Sequence, residues 1–141
     1  MISIKRMLPF FLLLLGAHTP EPNDHPRGAK KIHFWAHDIL DDNNDVDWFN
    51  IKNHAYQDLS LYLQVGTGAL CGCPKGDQFI PIMVVFTGDG TLLGYKIGTQ
   101  LGDMSISMYS IPHSYNIYVG ITGTLDPQGT HGYSEYNLLV F

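Results

Sequence analysis

The stretch Leu59-Ser60-Leu61-Tyr62-Leu63-Gln64-Val65 decides the fold class. Leu59, Leu61, Leu63 and Val65 point one way and Ser60, Tyr62 and Gln64 the other, because successive side chains of a strand alternate faces. The stretch is a half-buried strand. The same period of two returns downstream. Met104, Ile106 and Met108 oppose Ser105, Ser107 and Tyr109; Ile117, Val119 and Ile121 oppose Asn116, Tyr118 and Gly120; Tyr136, Leu138 and Val140 supply a last register. Ile32 to His37, Val46 to Lys52, Phe79 to Phe86 and Thr91 to Ile97 are further strand candidates. Phe79 to Phe86 is apolar on both faces, which suits a central strand, with Pro81 confining its start to an edge or a bulge. Thr87-Gly88-Asp89-Gly90-Thr91 is the turn of a hairpin between two of these runs, since Asp and Gly tolerate positive φ. No 3.6-residue period is sustained, and fifteen glycines and eight prolines fit a chain of turns and short strands. About eight strands at this spacing predict an all-β, single-domain antiparallel β-sandwich.

A chain of 141 residues fits one domain, and with 45% apolar and 15% charged residues it has material for a single core. Residues 1–17 follow a separate logic. Lys5 and Arg6 form a basic region, Leu8 to Leu15 an apolar run broken only by Pro9, and Gly16-Ala17 a small-residue cleavage point. The run falls short of the roughly 20 apolar residues a spanning helix needs. Residues 1–17 are therefore expected to be a secretory signal peptide, 18–31 an extended lead-in with prolines at 20, 22 and 26, and 32–141 the sandwich. The expected location is secreted, extracellular or periplasmic, with no stable membrane insertion once the signal is removed. Losing Lys5 and Arg6 from eight basic residues leaves six against thirteen acids, so the formal charge moves from −5 to −7. Phosphate binding needs clustered Lys and Arg, which excludes nucleic acid as a partner.

Seven of the thirteen acids, Glu21, Asp24, Asp38, Asp41, Asp42, Asp45 and Asp47, fall within 27 residues. Such density repels itself unless it is solvated or neutralised by a cation. Short oxygen-bearing side chains beside apolar strand material, Glu21-Pro22-Asn23-Asp24 and Asp45-Val46-Asp47-Trp48-Phe49, are what a hard cation uses to pin a leading segment onto a sheet. Asp41 to Asp45 also reads as a solvated turn, where Asp and Asn are favoured. Strand parity sets Asp47 on the same face as Phe49 and Ile51, and a buried carboxylate needs a partner. Cys71-Gly72-Cys73-Pro74 admits a small strained disulfide or an intermolecular one, two thiols, or metal binding. His33, Trp35 and His37 alternate onto one strand face without a third metal ligand, and Tyr62, Tyr109, Tyr115, Tyr118, Tyr133 and Tyr136 are candidates for a binding surface. No nucleophile elbow, zinc-protease helix motif or phosphate loop is present, so the expectation is a non-enzyme. A thiol-dependent activity through Cys71 or Cys73 would need a base that the sequence does not identify.

The order Glu21-Pro22-Asn23-Asp24, Ala29, Asp45-Val46-Asp47-Trp48-Phe49 resembles the opening of bacterial pre-peptidase C-terminal domains. The resemblance continues through Ile82 to Leu93 and the Tyr115-Asn116-Ile117-Tyr118-Val119 strand, and ends with Tyr136-Asn137-Leu138-Leu139-Val140. It covers about residues 20–141. Gly66 to Asp77, with its Cys-Gly-Cys, has no counterpart in the family pattern, and no catalytic domain is expected within these 141 residues. The resemblance implies a jelly-roll-like sandwich of the kind appended to secreted hydrolases, sometimes binding calcium or an extracellular polymer. It implies calcium ligation by Glu21, Asn23, Asp24, Asp45 and Asp47. The function expected is a secreted module that binds an extracellular protein or polysaccharide, its N-terminal segment held by Ca²⁺. The alternative is a structural or secretion-assisting part of a hydrolase system with no ligand of its own.

Overall fold

The computed structural model describes residues 22–40, 45–51, 58–66, 79–109, 111, 116–125 and 134–141. Nine strands are formed: β1 (Lys30–Ile32), β2 (Trp35–Leu40), β3 (Asp47–Ile51), β4 (Leu59–Val65), β5 (Phe79–Thr87), β6 (Leu92–Ile97), β7 (Met104–Met108), β8 (Ile117–Leu125) and β9 (Ser134–Val140). They build a five-stranded sheet in the order β1-β3-β8-β5-β6 and a four-stranded sheet in the order β2-β9-β4-β7. The architecture is the β-sandwich that the alternation predicts, jelly-roll-like as the resemblance implies. Every pairing is antiparallel except β1 with β3, which is parallel.

Alternation places the core. On β4 the leucines and Val65 are buried while Ser60, Tyr62 and Gln64 are half-buried. They meet Phe49, Ile51, Phe79, Met83, Val85, Ile117, Val119 and Ile121 of the facing sheet in one continuous cluster that also takes in Tyr136 and Leu138. The doubly apolar β5 has a second cause. Its outward Val84 and Phe86 are covered by Val46 and Trp48, with Ala29, Leu92 and Tyr118 at the margin. Trp48, Gly120 and Val84 stand in one register row across β3, β8 and β5. A Cβ on Gly120 would come within 3.0 Å of the Trp48 ring and of Val84 Cγ2, so the absence of a side chain at position 120 lets the indole pack this closely.

The hairpin turn forms as expected. Thr87 N–H donates to Thr91 O at 2.9 Å, Gly90 N–H to Thr87 O at 2.9 Å, and Gly90 has φ 89°. Asp89 accepts from the Thr87 hydroxyl and from Thr91 N–H. These bonds hold the Asp89 carboxyl below the usual carboxylate range, the Thr87 hydroxyl being the largest cause. Pro81 sits inside the sheet but beyond Ile97, the last β6 residue in the β5–β6 ladder. Its carbonyl accepts from Gly98 N–H at 2.7 Å, and the missing Pro N–H faces the same finished end of the ladder.

The single strand expected over Ile32 to His37 is instead two strands in opposite sheets, which raises the count from about eight to nine. A continuous strand would set Phe34 on the face of Ile32 and Ala36. Both of those are buried, but Phe34 is 78% exposed, because the chain bends at His33-Phe34 to cross between sheets. Phe34 O accepts from Val140 N–H at 2.8 Å and stitches the crossing down. His33 therefore leaves the face expected for it beside Trp35 and His37.

Candidate metal centre

The lead-in folds back before β1. Pro26–Gly28 makes one 3₁₀ turn, with Gly28 N–H on His25 O at 2.9 Å and Ala29 N–H on Pro26 O at 3.3 Å. A purely extended lead-in was the expectation. Proline, however, is compatible with a first helical turn, where its missing N–H has no partner to lose. The fold-back is tight: a Cβ on Gly28 would lie 1.7 Å from Pro22 O.

This bend seats Asn23 on β3. Asn23 O accepts from Trp48 N–H at 2.8 Å, and Asn23 Nδ2 donates to Asp47 Oδ1 at 2.9 Å and to Asp38 Oδ2 at 3.2 Å. Asp47 points inward, as strand parity requires, and is fully buried beside Phe49. Its other oxygen, Oδ2, accepts from the Tyr136 hydroxyl at 2.5 Å. Tyr136 is itself locked edge-on between Phe49 and Phe79, with ring centroids at 6.3 and 6.1 Å. Burial pushes the Tyr136 hydroxyl well above its ordinary pKa, and the charges of Asp47, Asp38 and Asp45 push it the same way. The phenol therefore remains a donor.

Asp24, Asp45 and Asp47 come together here. All three are buried, and one carboxylate oxygen from each lies within 4.8 Å of the others. Asp45 is held through its main chain, its carbonyl accepting from Thr122 Oγ1 at 2.6 Å. Two carboxylates no more than 4.8 Å apart repel by about 3 kcal/mol or more at an effective dielectric of about 20. Three such pairs rival the whole stability of a domain, about 5–15 kcal/mol. The donors are hard oxygens, which suit Ca²⁺ and not a soft metal. The residues present fit a hard cation.

Of the five residues named from sequence, Asp24, Asp45 and Asp47 converge, and Asn23 joins them with its amide nitrogen turned to Asp47 and Asp38. Glu21 lies outside the described residues. Sequence reasoning missed Asp38 and Tyr136 as members. Asp38 is half-buried on β2, accepts from Ile39 N–H at 3.0 Å, and has the Lys30 ammonium at 3.8 Å. Parity does set Tyr136 on the strand face of Leu138 and Val140, although nothing in the sequence joins it to Asp47. Its treatment as a surface tyrosine is corrected by its full burial.

Among the other tyrosines, Tyr62 is half-exposed and donates to Asp103 Oδ2 at 2.6 Å. Tyr109 is 74% exposed and borders a hollow of about 490 Å³ with Tyr95, Ile106 and Met108. Tyr118 packs on the Trp48 cluster. Tyr115, Tyr133, Cys71 and Cys73 lie outside the described residues. His37 bonds Asn137 Oδ1 through Nδ1 at 3.0 Å and approaches Glu135 at 3.9 Å, its Nε2 toward Oε2. Among the described residues the aspartate triad is the one group of three potential metal ligands drawn together. Also among them, no helix is long and apolar enough to cross a membrane.

No family model matches the chain, and no curated protein matches it by sequence. Solved structures do. The pre-peptidase C-terminal domain of collagenase from Bacillus anthracis superposes with a TM-score of 0.52 at 11% identity, over 89% of this chain and 100% of that one. CorA of Methylomicrobium album BG8, described as a surface-associated copper-binding protein, superposes with a TM-score of 0.51 at 7% identity, over 79% of this chain and 97% of that one. At such identities the likeness is one of fold. The chain has the fold of pre-peptidase C-terminal domains, which its motif order resembles.

Proposed function

We propose that this protein is a secreted, non-enzymatic β-sandwich module that binds an extracellular polymer, with a calcium ion locking its N-terminal segment to the Asp45-Val46-Asp47-Trp48-Phe49 stretch. The observation that supports the ion is the convergence of three buried carboxylates, one from the lead-in, one just before β3 and one at its first residue, under a tyrosine from the opposite sheet. Asp24, Asp45 and Asp47 would hold the cation, with Glu21 and the Asn23 amide oxygen as further ligands from the same segment. Bound there, the ion supplies positive charge that offsets the carboxylate repulsion and ties the lead-in to the sandwich. Asn23 and Tyr136 orient the Asp47 carboxylate, and Asp38 holds the Asn23 amide.

Calorimetric titration of chelator-treated protein with calcium tests the ion. One site is expected in the wild type and none in Asp45→Asn. Heat of dilution alone in the wild type refutes it. Retention on immobilised gelatin or polysaccharide in calcium buffer tests the binding role, and free passage through both refutes that.

A further inference from the structure

The outer face of the four-stranded sheet divides into a covered and an open half. Glu135 and Asn137 face outward on β9, yet each is only 2% exposed, and Asn137 stands in one row between His37 and Gln64. The next row is open. Trp35, Leu139, Tyr62 and Ser105 stand side by side on β2, β9, β4 and β7. Three interstrand steps make that row roughly 14 Å long. Trp35 is 47% exposed at one end. At the other end the row runs into a hollow of about 410 Å³ whose lining includes Tyr62, Lys96, Gln100, Asp103 and Ser105. That volume lies in the range of small-ligand sites.

The hollow is organised before anything enters it. Asp103 Oδ1 accepts from Val65 N–H at 2.9 Å, and its Oδ2 takes the Tyr62 hydroxyl proton at 2.6 Å. From the other sheet, Lys96 Nζ crosses to Ser105 O at 3.0 Å. Bonding to Asp103 raises the Tyr62 pKa, so the phenol stays a donor. One ammonium, one carboxylate, hydroxyls and an amide thus present donors and acceptors side by side, with aromatic rings leading away from them.

We propose that this row and hollow bind a neutral polysaccharide, one sugar in the hollow and the following sugars along Tyr62 and Trp35. This deepens the polymer-binding role proposed above and rests on it. Sugar hydroxyls both donate and accept, which matches the mixed lining, and the C–H faces of sugar rings match exposed Trp and Tyr. The charge balance disfavours a polyanion: the chain carries a formal charge of −5, and Lys96 is the one cation in the lining, set against Asp103. An added peptide strand is disfavoured too, because Lys96 bridges the open side between the edge strands β6 and β7. A fixed lining lowers the ordering cost of binding.

Affinity electrophoresis in calcium buffer tests this, with gels containing mixed-linkage β-glucan, xylan, mannan or galactomannan. Wild-type protein is expected to be retarded by at least one of the four. Trp35→Ala and Tyr62→Ala should each weaken that retardation about tenfold or more, with unchanged melting temperature showing that the variants fold. Tyr62→Phe, which keeps the ring, should weaken it less than Tyr62→Ala. Retardation that survives both alanine variants places binding elsewhere and overturns the proposal. No retardation in any gel, with retention on gelatin, overturns the glycan and leaves the polymer-binding role standing. Passage through all of them overturns both.

Discussion

Tyr136→Phe deletes one oxygen atom from the middle of the sandwich. The ring keeps its edge-on packing against Phe49 and Phe79, so no cavity opens. What disappears is the donor to Asp47 Oδ2, a bond 2.5 Å long between buried partners. Hydrogen bonds to charged acceptors contribute about 1.5–3 kcal/mol. A loss of about 2 kcal/mol is expected, which lowers the melting temperature by about 8 °C for a domain of this size. The pH dependence carries a second signature. Because the folded-state pKa of Tyr136 is raised above its unfolded value near 10, its contribution is fully present below pH 10. It is lost as pH rises toward the folded value, since the unfolded chain gives up the proton first. Above pH 10 the wild type should therefore lose up to about 1.4 kcal/mol more per pH unit than Tyr136→Phe. Thermal melts of the two proteins from pH 7 to 11 measure both effects. A difference under about 2 °C at pH 7, or parallel alkaline slopes, would refute the coupling of Asp47 to a buried neutral phenol.

Gly120→Ala should destabilise the sandwich by about 1–3 kcal/mol through overpacking against Trp48 and Val84, and should shift the Trp48 fluorescence maximum as the indole is lifted. Gly28→Ala should push Pro22 out of the fold-back and pull Asn23 off β3. Hydrogen exchange at the Trp48 amide, which donates to Asn23 O, should then accelerate while the β5–β8 amides stay protected. The Asp89 carboxyl should titrate below the ordinary range in an NMR pH series and move back up in Thr87→Val. Its folded-state pKa is depressed, so its contribution is present above the unfolded value and fades as pH falls through the folded one.

Most of the sandwich was legible because each half-buried strand announces its inner face every second residue. β4 matches its expected bounds, and β5 through β9 lie where the runs were seen. The bend at His33-Phe34 was not legible. It contains neither Gly nor Pro, and a pattern of alternating residues does not record which sheet receives them. The parallel pairing of β1 escaped for the same reason, since direction is set by where the lead-in returns. At the candidate metal centre the local segments were readable from their carboxylates. Asp38 and Tyr136 arrive from other strands: Asp38 joins through the Asn23 amide, and Tyr136 meets Asp47 across a separation of 89 residues closed by tertiary packing.

Thermal unfolding of one protein stock, with excess calcium and with excess chelator, tests the cation clamp most directly. An ion held at a hundred times its dissociation constant stabilises the folded state by about 2.7 kcal/mol. A rise of about 10 °C in calcium is therefore expected for this domain, and Asp45→Asn should abolish it. Superimposable melts in calcium and chelator would contradict the clamp.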